Sequence, residues 1–198
     1  MTKIIFATGN KDKLREIKEI LSDCDVDIRS MKEAGINVDI VEDGKTFEDN
    51  ALIKARAIAA HTDALVLADD SGLAVDALDG APGIYSARFS GLDGDDKANN
   101  RKLLELLKDV TMEKRTARFV SVITLIFPDG KTIVCRGECE GHIMFEESGS
   151  NGFGYDPLFR PEGYEVSFGQ LPAEEKNRIS HRAKALILLR EKLKELNG

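Results

Sequence analysis

Three acidic residues directly follow apolar runs of the sequence. A carboxylate at such a position contributes little to packing and is better suited to chemistry. Asp69 and Asp70 come directly after residues 64–68, which predict a buried strand, and Glu42 follows a second predicted strand at residues 36–41. Ligands of an open α/β sheet bind beyond the carboxyl ends of its strands, so these carboxylates are predicted to meet there. Such oxygen ligands suit Mg²⁺, which takes one or two carboxylates together with water and phosphate oxygens. The alternative is a helix or turn cap with a salt bridge to lysine or arginine.

A turn that suits phosphate lies near the N-terminus, in the sequence TGNKDK at residues 8–13. Gly9 allows a tight turn between a strand and a helix, and the first N–H groups of that helix carry a partial positive charge. Four further side chains add full charges or neutral donors: Lys11, Lys13, Thr8 and Asn10. The spacing is not that of a Walker A loop. An ordinary turn with solvated lysines is the alternative interpretation.

A glycine-rich stretch in the C-terminal part, NGFGYD at residues 151–156, carries groups that suit a nucleobase. Glycines flank Phe153 and leave its ring open for stacking on a base. Asp156 can accept hydrogen bonds from N–H groups of that base. The alternative is a loop in which the phenylalanine plugs an edge of the core.

A group of donors follows further along the chain, near the start of the last predicted helix. Its members are Lys176, His181 and Arg182, and Ser180 is the candidate N-cap of the helix. Arginine and a helix N-terminus suit a carbonyl oxygen on a base or another phosphate. The alternative is surface charge beside an ordinary cap.

The elements that must position these residues alternate between strands and helices. Apolar runs predict strands, and apolar residues at helical spacing predict helices. The predicted strands are residues 3–7, 36–41, 64–68, 116–127 and 131–144, and the predicted helices are residues 11–21, 46–60, 95–108 and 180–196. Pro128, Asp129 and Gly130 predict a hairpin between the last two strands. This order predicts an α/β fold with a mixed β-sheet flanked by helices.

Length, composition and charge exclude several classes of protein. The chain of 198 residues fits one domain, and its formal net charge of −7 argues against a general nucleic-acid binder. No apolar run approaches the ~20 residues that span a bilayer. The N-terminus lacks the pattern of a signal peptide, so we expect a cytoplasmic protein with no membrane partner.

The three cysteines are Cys24, Cys135 and Cys139, and no two of them form a C-x-x-C pair. Cys135 and Cys139 are four residues apart on a predicted strand, which places them on one face. A zinc site would need further cysteine or histidine ligands at characteristic spacing. We therefore expect reduced thiols that pack as small apolar residues.

Taken together, the motifs resemble those of the inosine triphosphate pyrophosphatase family. The matching segments are ATGNKDKLREI, TFEDNALIKA, LADDSGLAVDALDGAPGIYSARFSG, GFGYDPLF and SHRAKAL, in the family's order over essentially the whole chain. The resemblance implies one elongated α/β domain, residues 1–198, with two lobes and a central substrate cleft, and usually a homodimer. It implies Mg²⁺-dependent hydrolysis of ITP, dITP and XTP to the monophosphate and pyrophosphate. Asp49, where the family often has glutamate, is a departure without expected consequence.

The resemblance also implies roles for individual residues. Asp70 is the general base and, with Glu42, a metal ligand, while Asp69 supports the metal or its waters. The phosphates are contacted by Thr8, Gly9, Asn10, Lys11, Asp12, Lys13 and Lys54. The rest of the nucleotide is contacted by Ser71, Phe153, Gly154, Tyr155, Asp156, Lys176, His181 and Arg182.

Two rival interpretations are kept open. One is a related pyrophosphatase of the septum-inhibitor type, which prefers pyrimidine or modified nucleotides. The other is a nucleotide-binding regulatory module without turnover. Asp76 and Asp79 have no motif role and are expected to face solvent, so they are candidate control positions.

Overall fold

The computed structural model describes residues 2–197, with side chains described up to Lys194. The strands are β1 (Thr2–Phe6), β2 (Val26–Ser30), β3 (Leu65–Val75), β4 (Thr116–Ile126), β5 (Thr132–Ile143) and β6 (Phe159–Pro161). The helices are α1 (Lys11–Ile20), α2 (Phe47–Ala59), α3 (Asp96–Leu106), α4 (Ala173–Ile179) and α5 (His181–Asn197). No helix among the described residues is both long enough and apolar enough to cross a membrane.

The strands form one six-stranded sheet in the order β2-β1-β3-β4-β5-β6. β1 runs parallel to both β2 and β3, whereas β5 and β6 are antiparallel. The predicted α/β fold with a mixed sheet is therefore confirmed. The hairpin predicted at Pro128 is present as well, because the N–H of Phe127 donates to the carbonyl of Lys131 across the turn.

The chain divides into two compact units. The first unit comprises the chain up to Asp70, Ser121–Gly137, and the chain from Arg182 onward. The second unit comprises Ser71–Val120 and Glu138–His181.

The first unit has a hydrophobic core on each face of its strands. On one face α1 and α5 pack against the sheet, with Ile17 and Leu186 beside Leu67 of β3. On the other face α2 packs against it, with Ile58 beside Val66. Adjacent residues of β3 thus point to opposite cores, as side chains in a strand must.

The second unit has an aromatic core. Phe119, Phe159 and Phe168 pack with ring centroids 4.7–6.0 Å apart. α3 adds the buried side chains of Leu103 and Leu107 to the same cluster. Cys139 lies in this core, while Cys135 lies in a core of the first unit, and both are buried on the same side of β5, as predicted.

The strand predicted at residues 36–41 is wrong, because this segment is irregular. Its alternating apolar side chains, Ile36, Val38 and Ile40, pack against the α2-side core without pairing to a strand. The strand that is present instead, β2, has Ile28 as its buried residue between charged neighbours and lies at the edge of the sheet. Half-exposed edge strands carry a weak apolar signal, which explains why it was missed. The short helix α4 also has a weak apolar pattern, because four of its seven residues are charged, and the sequence did not predict it.

Candidate active site

The acidic pair lies within β3 and not after it. The strand was predicted to end at residue 68, but it continues through Asp69 and Asp70 to Val75. Asp69 follows Leu67 on the face covered by α1 and α5, and Asp70 follows Ala68 on the face covered by α2. The strand therefore sends the two carboxylates to opposite faces of the sheet.

Asp69 is enclosed by donors. Its Oδ2 lies 2.9 Å from Nζ of Lys13 and 3.2 Å from a guanidinium nitrogen of Arg182, and its Oδ1 accepts a 2.6 Å hydrogen bond from the hydroxyl of Ser121. Burial alone would raise the pKa of Asp69, but the charges of Arg182 and Lys13 outweigh it and hold that pKa well below the usual value. Asp69 is a fixed anion that holds Lys13 at the start of α1.

Glu16 completes this network, and sequence reasoning missed it. Its carboxylate accepts a hydrogen bond from Arg182, and both side chains are almost fully buried. Burial alone would lower the pKa of Arg182, but Asp69 and Glu16 raise it, so the arginine stays charged. A signal was available, because Glu16 lies one position before the buried Ile17 on the apolar face of α1, where an unpaired charge is not tolerated.

Asp70 has a different environment. Its Oδ1 accepts a 2.8 Å hydrogen bond from Nζ of Lys54, and the same ammonium lies 2.7 Å from Oε2 of Glu42. The other oxygen, Oδ2, is buried and accepts no hydrogen bond from any residue that the structure describes. Burial raises the pKa of Asp70 above its usual value, against the opposing charges of Lys54 and Lys13. A buried carboxylate oxygen with spare acceptor capacity can take a proton or bind a cation.

Lys54 was predicted to bind phosphate, and the structure places it between two carboxylates. Burial would lower the pKa of its ammonium, but Asp70 and Glu42 raise it. Glu42 belongs to the irregular segment before α2, although it was predicted to close a strand. Of the three carboxylates that were predicted to meet, Glu42 and Asp70 do so, through the ammonium of Lys54.

The residues fit a divalent cation at Asp70 better than at Asp69. No group of three His, Cys, Asp or Glu side chains up to Lys194, where the described side chains end, is arranged to hold a metal ion by itself. A cation that takes only one or two carboxylates and fills its shell with water and phosphate does not need three. The unsatisfied Oδ2 of Asp70, beside Glu42, meets that requirement, whereas both oxygens of Asp69 already have partners.

The turn at residues 8–13 has the predicted form. Asn10 is the N-cap of α1, and its Oδ1 accepts hydrogen bonds from the N–H groups of Asp12 and Lys13. The amide nitrogen of Asn10 therefore remains as a donor, and Gly9 and Lys11 are exposed beside it. Asp12 pairs with Arg15 at 2.9 Å and, as an anion, is a poor partner for phosphate.

In the second unit, the 151–156 loop is held by its own acidic residue. Oδ2 of Asp156 accepts a hydrogen bond from the N–H of Phe153 at 3.0 Å and lies 2.5 Å from Nζ of Lys176. The same ammonium lies 4.9 Å from the centroid of the Phe153 ring. Gly152 has φ +71°, and a Cβ there would overlap with the Asp156 carboxylate. The loop thus presents an aromatic ring with a lysine ammonium over it.

The remaining predicted base-site residues differ in exposure. His181 is buried and stacks on Phe119, with centroids 4.8 Å apart. Tyr155 is buried, and its hydroxyl donates to the carbonyl of Ser86. Arg182 was predicted to contact nucleotide, but its guanidinium is 1% exposed and is engaged by Asp69 and Glu16. Ser71 lies half-buried in β3.

The two control positions are not equivalent. Asp76 is exposed, as expected, and it accepts hydrogen bonds from Thr116 and Arg118. Those bonds hold its pKa below the usual value. Asp79 is exposed with φ +52°, a left-handed conformation that asparagine also tolerates. Asp79 is the better control.

Comparison with known proteins decides the family. Residues 4–192 match the sequence model of the Ham1 family. The chain belongs to the Ham1 family.

Relatives of this Ham1 chain match it over nearly its full length. It is 49% identical over 200 residues to the dITP/XTP pyrophosphatase of Clostridium perfringens, with 98% of each chain covered. It is 50% identical over 194 residues to the protein of the same name from Desulforamulus reducens, covering 98% of this chain and 96% of that one. The Staphylococcus aureus Ham1 protein has a similar fold, with a TM-score of 0.87 at 41% identity, covering 98% of this chain and 99% of that one. The predicted resemblance is confirmed.

The two neighbouring carboxylates should differ in their contribution to stability. Asp69→Asn removes the negative charge between two buried cations, and we expect it to lower the free energy of unfolding by about 3–5 kcal/mol. Asp70→Asn keeps an oxygen for Lys54 and removes a charge that burial disfavours, so we expect a loss of under about 1.5 kcal/mol. Urea unfolding of both variants at pH 7 measures the difference. Equal losses, or a larger loss for Asp70→Asn, would contradict the assignment.

Proposed function

We propose that this Ham1 protein hydrolyses non-standard purine nucleoside triphosphates, namely ITP, dITP and XTP, to the monophosphate and pyrophosphate. The observation that carries the proposal is the buried Asp70 carboxylate, with one oxygen on Lys54 and the other unsatisfied among the described residues. The names of the relatives, dITP/XTP pyrophosphatases, supply the substrate class.

The triphosphate is assigned to the cations of the first unit. The start of α1 supplies its partial positive charge and the side-chain amide of Asn10, and Lys13 supplies a full charge that Asp69 holds in place. Lys54 supplies a second ammonium beside Asp70. Together these groups counter the charge of a triphosphate on a protein whose net charge is negative.

Asp70 is assigned the role of general base. In the proposed reaction a water oxygen forms a bond to the α-phosphorus, the bond from this phosphorus to the bridging oxygen breaks, and pyrophosphate leaves. The proton of the water passes to the carboxylate of Asp70, whose Oδ2 has no protein donor among the described residues. Burial raises the pKa of this carboxyl, which makes it a stronger base.

Mg²⁺ is the cation that we propose for this site, with Asp70 and Glu42 as its protein ligands. When bound, it supplies positive charge that stabilises the departing pyrophosphate. Asp69 is proposed to act on Lys13 and not as a ligand, because its two oxygens are occupied.

The base is assigned to the aromatic set of the second unit. Phe153 offers a ring for stacking, and Lys176 and His181 are donors beside aromatic rings. Hypoxanthine and xanthine present an acceptor oxygen at position six, whereas adenine presents a donor amino group. Donors facing ATP would be left unpaired, and such a mismatch can discriminate by roughly 10⁴-fold in favourable sites.

The relatives favour this proposal over both rivals. Their names state purine triphosphates, which disfavours the septum-inhibitor alternative, and they state an enzymatic activity, which disfavours a binding module without turnover. The cytoplasmic location and the homodimer that the resemblance implies stay predictions.

The reaction products test the proposal. Incubation with ITP, XTP and ATP, with and without Mg²⁺, should give IMP and XMP with pyrophosphate in the presence of the metal, and little turnover of ATP. Chromatography of the nucleotides and an assay for pyrophosphate identify the products. Diphosphate and orthophosphate would mean attack at the terminal phosphate and would overturn the proposal.

Asp70 provides the second test. Asp70→Asn keeps the shape but removes the proton acceptor, so we expect kcat for ITP to fall by about 10²–10⁴-fold at saturating Mg²⁺. Asp79→Asn is the control and should stay within a few-fold of the parent, because its side chain is exposed and asparagine tolerates its backbone conformation. Thermal unfolding checks that both variants are folded. A folded Asp70→Asn protein with near-parental kcat would show that the general base lies elsewhere.

A further inference from the structure

Two side chains from the first turns of α3 hydrogen-bond to the backbone of one residue in the 151–156 loop, one at its N–H and one at its carbonyl. Oδ2 of Asp96 accepts a 2.8 Å hydrogen bond from the N–H of Gly154, and Nδ2 of Asn100 donates a 3.2 Å hydrogen bond to the carbonyl of the same glycine. Asp96 and Asn100 are four residues apart, which places them on one face of the helix. Neither residue belongs to the motifs that carry the family resemblance.

These two hydrogen bonds matter because the glycines on either side of Phe153 allow the backbone many conformations. Gly152 and Gly154 flank the ring with φ values of +71° and +61°. Glycine populates many conformations in the unfolded and loosely held state, so a loop of this kind needs external contacts to adopt one. Asp156 supplies one contact, at the N–H of Phe153. Asp96 and Asn100 supply two more, at the next residue.

α3 is itself held in place by side-chain hydrogen bonds at both of its ends. At its far end, the buried guanidinium of Arg115 donates to the carbonyls of Leu107 and Val110 at 2.6 and 2.9 Å. Near its start, the side chain of Asn99 accepts a hydrogen bond from the N–H of Ser90 and donates to the carbonyl of Ala87. Because α3 is fixed at both ends, a residue that is hydrogen-bonded to it is held in a defined position.

We propose that Asp96 and Asn100 are positioning residues that fix the backbone at Gly154 and thereby orient the Phe153 ring for stacking on the base of the substrate. The inference rests on the proposed function in one respect, namely that Phe153 stacks on a nucleobase. The orientation of the ring itself can be measured without substrate.

Steady-state kinetics with ITP tests the effect on binding. We expect Asp96→Ala to raise KM by about 5–20-fold, as loss of a charge-assisted hydrogen bond would, with kcat within about two-fold of the parent. Asp96→Asn retains an oxygen that can accept from Gly154 and should recover most of the parental KM. Lys97→Ala changes the exposed neighbour on the same turn and is the matched control. A parallel fall in kcat, or an unchanged KM in a folded Asp96→Ala protein, would overturn the proposal.

A double variant tests whether Asp96 acts through the ring. In the Phe153→Ala background, Asp96→Ala should change KM by less than about two-fold, since residues that act through one another are not additive. An undiminished effect in that background would mean that Asp96 acts by another route.

A tryptophan reporter tests the orientation without any substrate. The chain contains no tryptophan, so Phe153→Trp introduces a single fluorophore at the loop. Adding Asp96→Ala should increase quenching by acrylamide and lower the fluorescence anisotropy, and adding Lys97→Ala should change neither. Unchanged quenching and anisotropy would overturn the positioning role even if the protein hydrolyses ITP, whereas a change would support that role even if it does not.

Discussion

The alternation of side chains along β3 is the constraint on which the candidate site depends. Leu67 and Asp69 share the face of α1 and α5, and Ala68 and Asp70 share the face of α2. Two adjacent carboxylates would repel each other strongly if they shared one environment. Because the strand separates them, each can have its own cations, with Asp69 bound by Lys13 and Arg182 and Asp70 bound by Lys54.

This separation explains how a buried anion can be stable next to one that is available for chemistry. Asp69 has donors on both oxygens and a depressed pKa, so it holds its partners and does not titrate near neutral pH. Asp70 has a raised pKa and an oxygen without a donor among the described residues.

Sequence patterns predicted the class of fold, and they named most of the residues that the structure brings together in the candidate site, because both follow from local signals. The apolar strands, the cap at Asn10 and the glycines around Phe153 are examples. Roles that depend on partners distant in sequence were not predictable. Arg182 reads as a free donor until Glu16, 166 positions away, is found beside it.

The predicted end of β3, before Asp69, was wrong for a related reason. Asp69 and Asp70 look like the end of a strand because isolated charges are excluded from a sheet interior. The sheet includes them because Ser121, Lys13 and Lys54 satisfy them, and none of these is adjacent in sequence. The hydrogen bonds of Asp96 and Asn100 to Gly154 are hidden in the same way, since the two residues lie 58 and 54 positions away from the glycine in the sequence.

The position of a bound divalent cation tests the central claim most directly. Crystals of the protein grown with Mn²⁺, as an anomalous scatterer in place of Mg²⁺, should show an anomalous peak in the coordination shell of Asp70 Oδ2, on the side of Glu42. Asp69 should remain bound to Lys13 and Arg182 and should not contact the metal. A peak coordinated by Asp69, or bridging Asp69 and Asp70, would contradict the division of the two carboxylates between opposite faces of β3.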